Sequence, residues 1–400
     1  MSNFFSNLKG DKVIWATAGL LALFSFLPVY SASSNLAYLY GDGSTFKYVV
    51  VHFFHLVLGF SLLFAVHKIP YHYFRGLSIL FLPVVIVLLL YTAFQGTIID
   101  GANASRWIQI PVLGVSFQSS TLASVVLMVY VARYLSKMTH KDLSFKESIL
   151  PLWVPVGLVL MLILPANFST TAIIFCMVLV LMFLGGYPSK YLGIIVLSGL
   201  LLLTMFILTA KAFPGLLPNR VDTWTSRIEN FSNDEDTEAD YQIEKAKIAI
   251  ARGGVTGTGI GKSVQRNFLP QSSSDFIYAI IVEEMGLIGA FGVMSAYLML
   301  LFRIIIVATK ANTMFGKLVV MGVGLPIIFQ ALINMAVAVE LFPVTGQTLP
   351  LISSGGTSIW MTCMALGIIL SVSAKREEIK EAEERLNEEE NPLDILSEAI

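Results

Sequence analysis

The stretch Phe268 to Gly286, FLPQSSSDFIYAIIVEEMG, combines a polar approach, one acidic residue and a long apolar run. The acidic residue, Asp275, follows three serines and directly precedes apolar residues, which places it at the mouth of a buried helix. A carboxylate at such an edge can serve as a general base. It can also be an N-cap, because an Asp side chain accepts hydrogen bonds from the first N–H groups of a helix. The local sequence favours the N-cap, and only the rest of the chain can distinguish it from a general base.

A glycine-rich segment, GGVTGTGIGKS at 253–263, precedes this stretch. It is not a P-loop, because the position six residues before Lys262 is Thr256 instead of the required glycine. Two interpretations remain. The segment is an N–H-rich cradle for an anion such as a pyrophosphate, beside Lys262 and Arg266. Alternatively it is a mobile hinge, since glycine's conformational freedom explains the composition.

The composition identifies a membrane protein. Of 400 residues, 56% are hydrophobic and 13% are charged, against about 25% charged residues in a soluble domain. The net charge of −1 gives no indication of a nucleic-acid partner, and the two cysteines lie in apolar runs, so neither a disulfide nor a metal cluster is expected.

The predicted fold is an all-α polytopic membrane protein with ten transmembrane helices. Each of ten apolar segments is long enough to cross about 30 Å of hydrocarbon. They lie near 13–31, 48–67, 74–95, 116–136, 148–165, 168–186, 190–210, 276–308, 316–339 and 350–373.

Lysines and arginines predict the orientation, since those of short loops stay on the cytoplasmic side. With the N-terminus inside, the short loops of the opposite face hold only Lys47 and Arg106. Both termini are then on the cytoplasmic side of the cytoplasmic (inner) membrane. The long loop 211–275, between helices 7 and 8, is extracytoplasmic and carries Asp275 at its end. The ten-helix domain covers 1–374, and 375–400 form an acidic cytoplasmic tail.

Charge is divided within the long loop. Its part from Asp222 to Glu244 holds eight acidic residues, whereas the part from 245 to 274 holds five bases and no acid: Lys245, Lys247, Arg252, Lys262 and Arg266. The basic half leads directly to Asp275. Residues 241–251 predict a short helix, which lies either on the outer membrane surface or in an ordinary loop.

The segment FPVTGQTLPLISSGGTS at 342–358 places glycines and prolines at the outer margin of the last span. Irregular backbone survives at membrane depth only when it is buried in protein or lines a wet cavity. The segment therefore predicts an outward-facing cavity, with a bent loop as the alternative.

Other polar residues of the spans have less specific explanations. Glu283 and Glu284 lie about 12–13 Å deeper than Asp275 along the same helix, where a structural role, paired or protonated, is the favoured interpretation. Glu340 is ambiguous. His52 and His55 lie one turn apart without a recognisable third ligand, so packing is a better explanation than metal binding.

Four separated motifs resemble the SEDS family, the FtsW and RodA polytopic enzymes. The motifs are SDFIYAIIVEEMGLIG at 274–289, GGVTGTGIGKS with the following NFLP, RWI at 106–108, and PVTGQTLPLISSGGTS at 343–358. They occur in the family's order, and the resemblance covers all ten predicted spans. Within the family, the chain is more similar to the division branch, FtsW, than to the elongation branch.

The resemblance implies a peptidoglycan glycosyltransferase that polymerises lipid II, with Asp275 at the position of the family's catalytic acid. It also implies substrate-site roles for eight further residues: Arg106, Trp107, Lys262, Gln265, Ser353, Ser354, Gly355 and Gly356. Arg252 and Arg266 are added to the predicted substrate-binding residues as cations of the basic half of the loop. Two charged family patterns are missing, because this chain has Thr121, Ser124 and Asn167 at their positions. Transfer of metal- or pyrophosphate-binding roles to those helices is therefore unsupported.

The expected mechanism is inverting, with Asp275 as the general base. A pyrophosphate leaving group needs cationic stabilisation more than a proton, and Lys262, Arg266, Arg252 or a divalent cation (Mg²⁺ or Mn²⁺) would supply it. The sequence itself requires no cofactor. By resemblance the partners are lipid II, a class B penicillin-binding protein transpeptidase, divisome proteins and membrane lipid.

Two alternatives remain. A flippase for lipid-linked precursors would also need many spans and a basic pyrophosphate site, although the polar motifs cluster on the outer side, which favours an enzyme. A RodA-like elongation polymerase differs from the division enzyme in role and not in chemistry.

Overall fold

A computed structural model describes residues 8–40, 45–95, 98–99, 102–103, 107–110, 115–138, 145–212, 238–269 and 272–389. Arg106, the acidic stretch 213–237 and the last residues of the predicted tail, 390–400, lie outside these ranges. The described part of the chain is mainly helical, as the apolar runs predict.

Twelve helical segments follow one another in the described residues. They are α1 (Lys12–Tyr40), α2 (Thr45–His67), α3 (Phe74–Gln95), α4 (Ser119–Met138), α5 (Phe145–Ser148), α6 (Val154–Ile163), α7 (Phe168–Leu184), α8 (Ser189–Ala212), α9 (Glu238–Gly253), α10 (Ile277–Thr309), α11 (Met314–Ala338) and α12 (Gly356–Glu389). A π-helical turn, Ile149–Trp153, joins α5 to α6, and short 3₁₀ turns lie at Tyr71–Tyr73 and Gln265–Asn267.

The protein is a multi-pass membrane protein. Eight helices of the described residues are long and apolar enough to cross a membrane, and they coincide with eight of the ten predicted spans. At the positions of the sixth and seventh predicted spans lie shorter apolar helical stretches, Phe168–Leu184 and Ser189–Met205. The number ten therefore stays a prediction.

The predicted starts of the fourth and last spans are wrong. An apolar stretch indicates that residues are buried, but it does not show that they are helical. The fourth span was expected from residue 116, yet strand β4 (Val115–Gln118) pairs antiparallel with β3 (Trp107–Ile110) before α4 begins. A smaller pair, β1 (Ile98–Ile99) and β2 (Ala102–Asn103), precedes them. The last span was expected from residue 350, but residues 350–355 are turns and α12 begins at Gly356. The last helix is continuous past residue 375, where the tail was expected to begin.

The last helix, α12, is the most enclosed. In its most apolar stretch 89% of residues are buried within the protein, against 22% in α2. The outer helices expose large apolar side chains such as Phe54 (63%), Phe94 (86%) and Leu197 (69%). Such a surface is unfavourable in water and suits hydrocarbon, so α11 and α12 form the centre of the bundle and these faces contact lipid.

Charged contacts tie residues 9–11 to α10 and to Glu377 and Glu378 of α12. Lys9 donates to Glu378 Oε1 at 2.8 Å and the Gly10 N–H donates to Glu377 Oε2 at 2.9 Å. Arg303 Nε donates to both carboxylate oxygens of Asp11, at 3.1 and 3.0 Å. From Thr357 to Glu377 is about 30 Å at 1.5 Å per residue, the thickness of a hydrocarbon core. The start of α12 and the chain start therefore lie at opposite ends of the bundle.

The helix that follows Asp275 is broken at Gly286. This residue has φ 65° and ψ −161°, and the segment 253–259 packs against the break. The Leu287 N–H donates to the Gly254 carbonyl at 2.9 Å, while the N–H groups of Thr258 and Gly259 donate to the carbonyls of Glu283 and Glu284 at 2.9 and 3.0 Å. The glycine-rich segment thus supplies hydrogen-bond partners for the main-chain N–H and carbonyl groups that lack a helical partner at the break.

Glycine is required at the break both by conformation and by space. A Cβ on Gly286 would lie 2.3 Å from the Val255 carbonyl oxygen. We therefore expect Gly286→Ala to lower the free energy of unfolding by at least about 2 kcal/mol, measured as a fall in the melting temperature of detergent-solubilised protein.

Gly292→Ala is the matched control, because Gly292 lies in the same helix with no atom within 4 Å of an added Cβ. It should be neutral or stabilising, since alanine favours helix. Equal melting temperatures for the two variants would contradict the packing of segment 253–259 at the break.

Candidate active site

Asp275 lies in a turn, residues 272–276, between the glycine-rich segment and α10. The helix begins at Ile277 with Phe276 as its N-cap residue and without a side-chain cap, so the predicted N-cap role of Asp275 is wrong. Asp275 is partly buried. The turn ends one residue later than the sequence pattern suggests, because the Phe276 carbonyl accepts the first helical hydrogen bonds from Ala279 and Ile280.

Segment 339–355, most of which falls within the stretch 342–358 that the sequence predicted to be irregular, packs directly on this turn. Ser353 Oγ donates to the Ser274 carbonyl at 2.6 Å and accepts the Leu349 N–H at 2.7 Å. The Ser354 N–H donates to the Ser273 carbonyl at 2.8 Å. Two of the predicted binding residues, Ser353 and Ser354, therefore hold the segment against the backbone that carries Asp275.

Two amides of α11 fix the same segment from inside the bundle. Asn334 Nδ2 donates to the Asp275 carbonyl at 2.8 Å and to the Gln347 carbonyl at 2.7 Å. One turn earlier, Gln330 Nε2 donates to the Thr348 carbonyl at 2.9 Å. Gln347 in turn donates its side-chain amide to Thr170 Oγ1 of α7 at 3.0 Å.

Gly346 is the backbone position of this segment that approaches the Asp275 carboxylate. An added Cβ there would lie 3.4 Å from Asp275 Oδ2, and Gly346 has a φ of 66°. Because glycine has no side chain, the backbone comes close to the carboxylate without covering it. The turn, the segment and α11 together hold one partly buried carboxylate in a fixed frame.

Trp107 reaches the same region through the hairpin. It pairs with Gln118, whose N–H donates to Thr357 Oγ1 at 3.2 Å, and Thr357 Oγ1 donates to the Ser116 carbonyl at 3.1 Å. Thr357 is the residue after Gly355 and Gly356, so the hairpin is bound to the start of α12. Arg106, predicted with Trp107, lies outside the described residues.

His52 and His55 of α2 pack against neighbouring helices. The ring of His55 lies over Gly356, where an added Cβ would meet it at 2.6 Å, and stands 5.4 Å from the Trp360 ring. His52 Nε2 is 2.7 Å from Ser25 Oγ of α1. His55 thus contacts the start of α12, beside the segment that frames Asp275.

Glu283 and Glu284 are buried, with 0% and 3% exposure. Glu283 accepts hydrogen bonds from the N–H groups of Val264 (3.0 Å) and Gln265 (3.2 Å) and from the Ser263 hydroxyl. Glu284 accepts the Ser263 N–H at 3.2 Å and the hydroxyl of Ser31 in α1. Both carboxylates therefore have the structural role that the sequence favoured.

The expectation that the glycine-rich segment offers open N–H groups to a pyrophosphate is wrong for three of its residues, and the two residues after it are also paired. The N–H groups of Thr258, Gly259, Ser263, Val264 and Gln265 donate to Glu283 and Glu284. The segment does cradle anions, and they are two carboxylates of its own chain. Sequence spacing alone did not reveal this, because 20 residues separate Ser263 from Glu283.

The predicted basic residues differ in their surroundings. Arg252 Nε lies 3.9 Å from Glu283 Oε1. Arg266 Nη1 donates to Ser31 Oγ at 2.9 Å and to the Gly261 carbonyl at 3.0 Å. Gln265 is 8% exposed, whereas the Lys262 side chain is exposed. Lys247 donates to Glu340 at 2.6 Å, and this hydrogen bond raises the pKa of Lys247.

One of the positions without a family charge, Asn167, lines a small cavity of about 70 Å³. Its polar lining comes from Thr92, Ser119, Ser120 and Asn167, and the Ser120 hydroxyl has no hydrogen-bond partner among the described residues. Asn167 caps α7 by accepting the Thr170 N–H at 3.1 Å. No group of three His, Cys, Asp or Glu within the described ranges is arranged to hold a metal ion.

The sequence interpretation missed Gln330, Asn334 and Thr357. A signal existed for the first two, since amides four residues apart in an apolar span share one face, and polar groups in a span usually face the protein interior. No comparable signal marked Thr357, whose role depends on a hairpin that the sequence did not predict.

We expect Glu283→Ala to lower the free energy of unfolding by about 2–4 kcal/mol, because it leaves buried N–H groups and Arg252 without their acceptor. The measurement is thermal unfolding in detergent, together with the rate of proteolysis within 238–269.

Glu340→Ala is the control, since its ion pair with Lys247 is exposed and should contribute no more than about 1 kcal/mol. A Glu283→Ala protein as stable as Glu340→Ala would contradict the anchoring role of Glu283.

Comparison with known proteins adds independent evidence at the level of the family. The chain matches the FtsW/RodA/SpoVE family, described as "Cell cycle protein", over residues 11–378. Its relatives include proteins named "Probable peptidoglycan glycosyltransferase FtsW". The protein from Geobacter sulfurreducens is 33% identical over 91% of this chain and 95% of its own length. That from Hydrogenovibrio crunogenus is 31% identical over 90% of each chain.

Solved structures share the fold. One, described as "Structural coordination of polymerization and crosslinking by a peptidoglycan synthase complex", aligns with a TM-score of 0.69 at 23% identity, over 92% of this chain and 98% of that one. The rod shape determining protein RodA of Thermus thermophilus aligns with a TM-score of 0.65 at 22% identity, over 92% and 97%. The resemblance carried by the four sequence motifs is thus confirmed, and the chain belongs to the FtsW/RodA/SpoVE family of cell cycle proteins.

Proposed function

We propose that this chain is a peptidoglycan glycosyltransferase that polymerises lipid II, the undecaprenyl-pyrophosphate-linked disaccharide peptide, into glycan strands of the division septum. Relatives that align over nine-tenths of the chain carry that enzyme's name. The observation that carries the chemistry is the partly buried Asp275 carboxylate, whose backbone is held by Asn334 and whose Oδ2 faces Gly346.

Asp275 acts as the general base of an inverting transfer. The 4-hydroxyl of GlcNAc on one lipid II attacks the anomeric carbon of MurNAc at the lipid-linked end of the growing strand. The new C–O bond forms as the bond to the pyrophosphate oxygen breaks, and the hydroxyl proton passes to Asp275. A rigid turn suits this role, because proton transfer requires the base within about 3 Å of the attacking oxygen.

Lys262 is the proposed contact for the pyrophosphate. Its side chain is exposed, whereas Arg252 lies against Glu283 and Arg266 donates to Ser31 and Gly261. Arg252, Gln265 and Arg266 then hold the segment that presents Lys262. A divalent cation would supplement Lys262, bound mainly by the phosphate oxygens, as Mg²⁺ commonly is in phosphate sites.

The proposed location is the outer side of the cytoplasmic membrane, with both chain ends on the cytoplasmic side. The distribution of Lys and Arg supports this orientation, as does the separation of the Asp275 frame from residues 9–11 along α12. A class B penicillin-binding protein that crosslinks the product, and other division proteins, are the proposed partners.

Asp275→Asn should reduce lipid II polymerisation by about 10²–10⁴-fold, because the amide keeps the shape of the side chain but does not accept the proton. Purified protein is incubated with fluorescent lipid II in detergent, alone and with the partner transpeptidase, and glycan chains are resolved by electrophoresis. Glu340→Gln serves as the acidic control. If Asp275→Asn polymerised lipid II at the parent rate, Asp275 would not be the general base.

The same assay separates polymerase from flippase, since transport does not exist in detergent. Glycan chains formed there support the enzyme, and their absence even with the partner favours a transporter. Depletion of the protein from growing cells distinguishes the roles of the two branches, because loss of a division enzyme produces filaments and loss of an elongation enzyme produces round cells.

Lys262→Ala should lower kcat/KM for lipid II by about 10-fold, through loss of one charge-assisted contact, while the melting temperature stays unchanged because the side chain is exposed. Initial rates over a lipid II series give this ratio. Arg266→Ala, which removes partly buried hydrogen bonds, should instead lower the melting temperature. If Lys262→Ala kept the parent kcat/KM, the proposed contact between Lys262 and the pyrophosphate would be wrong.

A further inference from the structure

Asn334 is a buried amide in the apolar helix α11, with 1% of its surface exposed. A primary amide nitrogen has two hydrogens, and Asn334 uses both of them on main-chain carbonyls, those of Asp275 (2.8 Å) and Gln347 (2.7 Å). One side-chain atom therefore joins two segments that are 72 residues apart in the chain.

The orientation of this amide follows from its partners. Both neighbours are carbonyl oxygens, which accept and do not donate, so the nitrogen must face them. The opposite orientation would place the side-chain oxygen against two acceptors. Oδ1 is buried and has no hydrogen-bond partner among the described residues, so the two donated bonds are what hold the side chain.

Gln330 provides an internal comparison on the same helix face. It lies four residues before Asn334, and its Nε2 also donates twice, to the Thr348 carbonyl at 2.9 Å and to Thr348 Oγ1 at 3.1 Å. Both amides thus hold adjacent residues of one segment. Of the two, Asn334 is the one with a hydrogen bond to the residue proposed as the base.

We propose that Asn334 is a positioning residue for Asp275, an inference that rests on the proposed function of this site. Its two hydrogen bonds fix the Asp275 carbonyl, and with it the direction in which the side chain leaves the backbone. They also hold Gln347, so the neighbouring Gly346 stays against Asp275 Oδ2. Asn334 acts through Asp275 and touches no reacting atom.

This role predicts an effect on turnover and not on substrate affinity. A misplacement of about 1 Å of a reacting group costs about 100-fold in rate, whereas lipid II contacts on Lys262 and the hairpin are unaffected. Asn334→Ala should therefore lower kcat by about 10–100-fold and leave KM for lipid II within about 3-fold of the parent value.

The experiment compares Asn334→Ala with Gln330→Ala in the full chain with its transpeptidase partner. Each variant loses two hydrogen bonds, so melting temperatures should fall by similar amounts, but only Asn334→Ala loses one to Asp275. Initial rates over a lipid II series give kcat and KM, and Gln330→Ala should lose less than about 5-fold in kcat. If the alanine variants do not insert, Asn334→Asp and Gln330→Glu replace them, since these keep the shape of the amide and remove its nitrogen.

A selective loss of kcat in the Asn334 variant supports the proposal. Equal losses of kcat in both variants, or a rise in KM at constant kcat, would overturn it, because Asn334 would then support the segment or bind substrate. Failure of the proposed function is distinguishable from these results, since it appears as an active Asp275→Asn protein.

Discussion

Irregular backbone inside an apolar bundle needs a partner for every N–H and carbonyl group, and this constraint organises the residues around Asp275. Two pieces of non-helical backbone meet there, the turn 272–276 and the segment 339–355. A third, the break at Gly286, lies further along α10. Main-chain groups of the glycine-rich segment satisfy the break, and serine and amide side chains satisfy the other two. Most polar residues discussed in the spans therefore serve to hydrogen-bond this non-helical backbone.

This constraint separates acidic residues that look alike in the sequence. Glu283 and Glu284 are fully buried and accept several hydrogen bonds each, which suits permanent structural acceptors. Asp275 lies at the edge, only partly buried, with its main chain held by another residue. Asp275 is supported through its backbone, whereas Glu283 and Glu284 anchor a loop through their side-chain oxygens.

The sequence predicted the helical membrane fold, the position of most spans and the meeting of Ser353 and Ser354 with the Asp275 turn. Hydrophobic runs and family motifs carry that information directly. It did not predict the hairpin that joins Trp107 to Thr357, the N-cap at Phe276, or the anchoring of Ser263 by Glu283. These depend on contacts between distant segments, and neither periodicity nor local propensity encodes which distant acceptor a loop will find.

Pairing of charges also changes the electrostatic character of the basic half-loop. Its five cations have no acid among them in sequence, yet in the fold Lys245 lies 3.6 Å from Glu244, Lys247 pairs with Glu340 and Arg252 approaches Glu283. These ion pairs neutralise part of the positive charge that the composition suggests. Lys262 is exposed and lies in a segment whose N–H groups donate to Glu283 and Glu284. A cation placed by such anchored backbone gives a pyrophosphate a fixed contact, which a mobile cluster of charges would not.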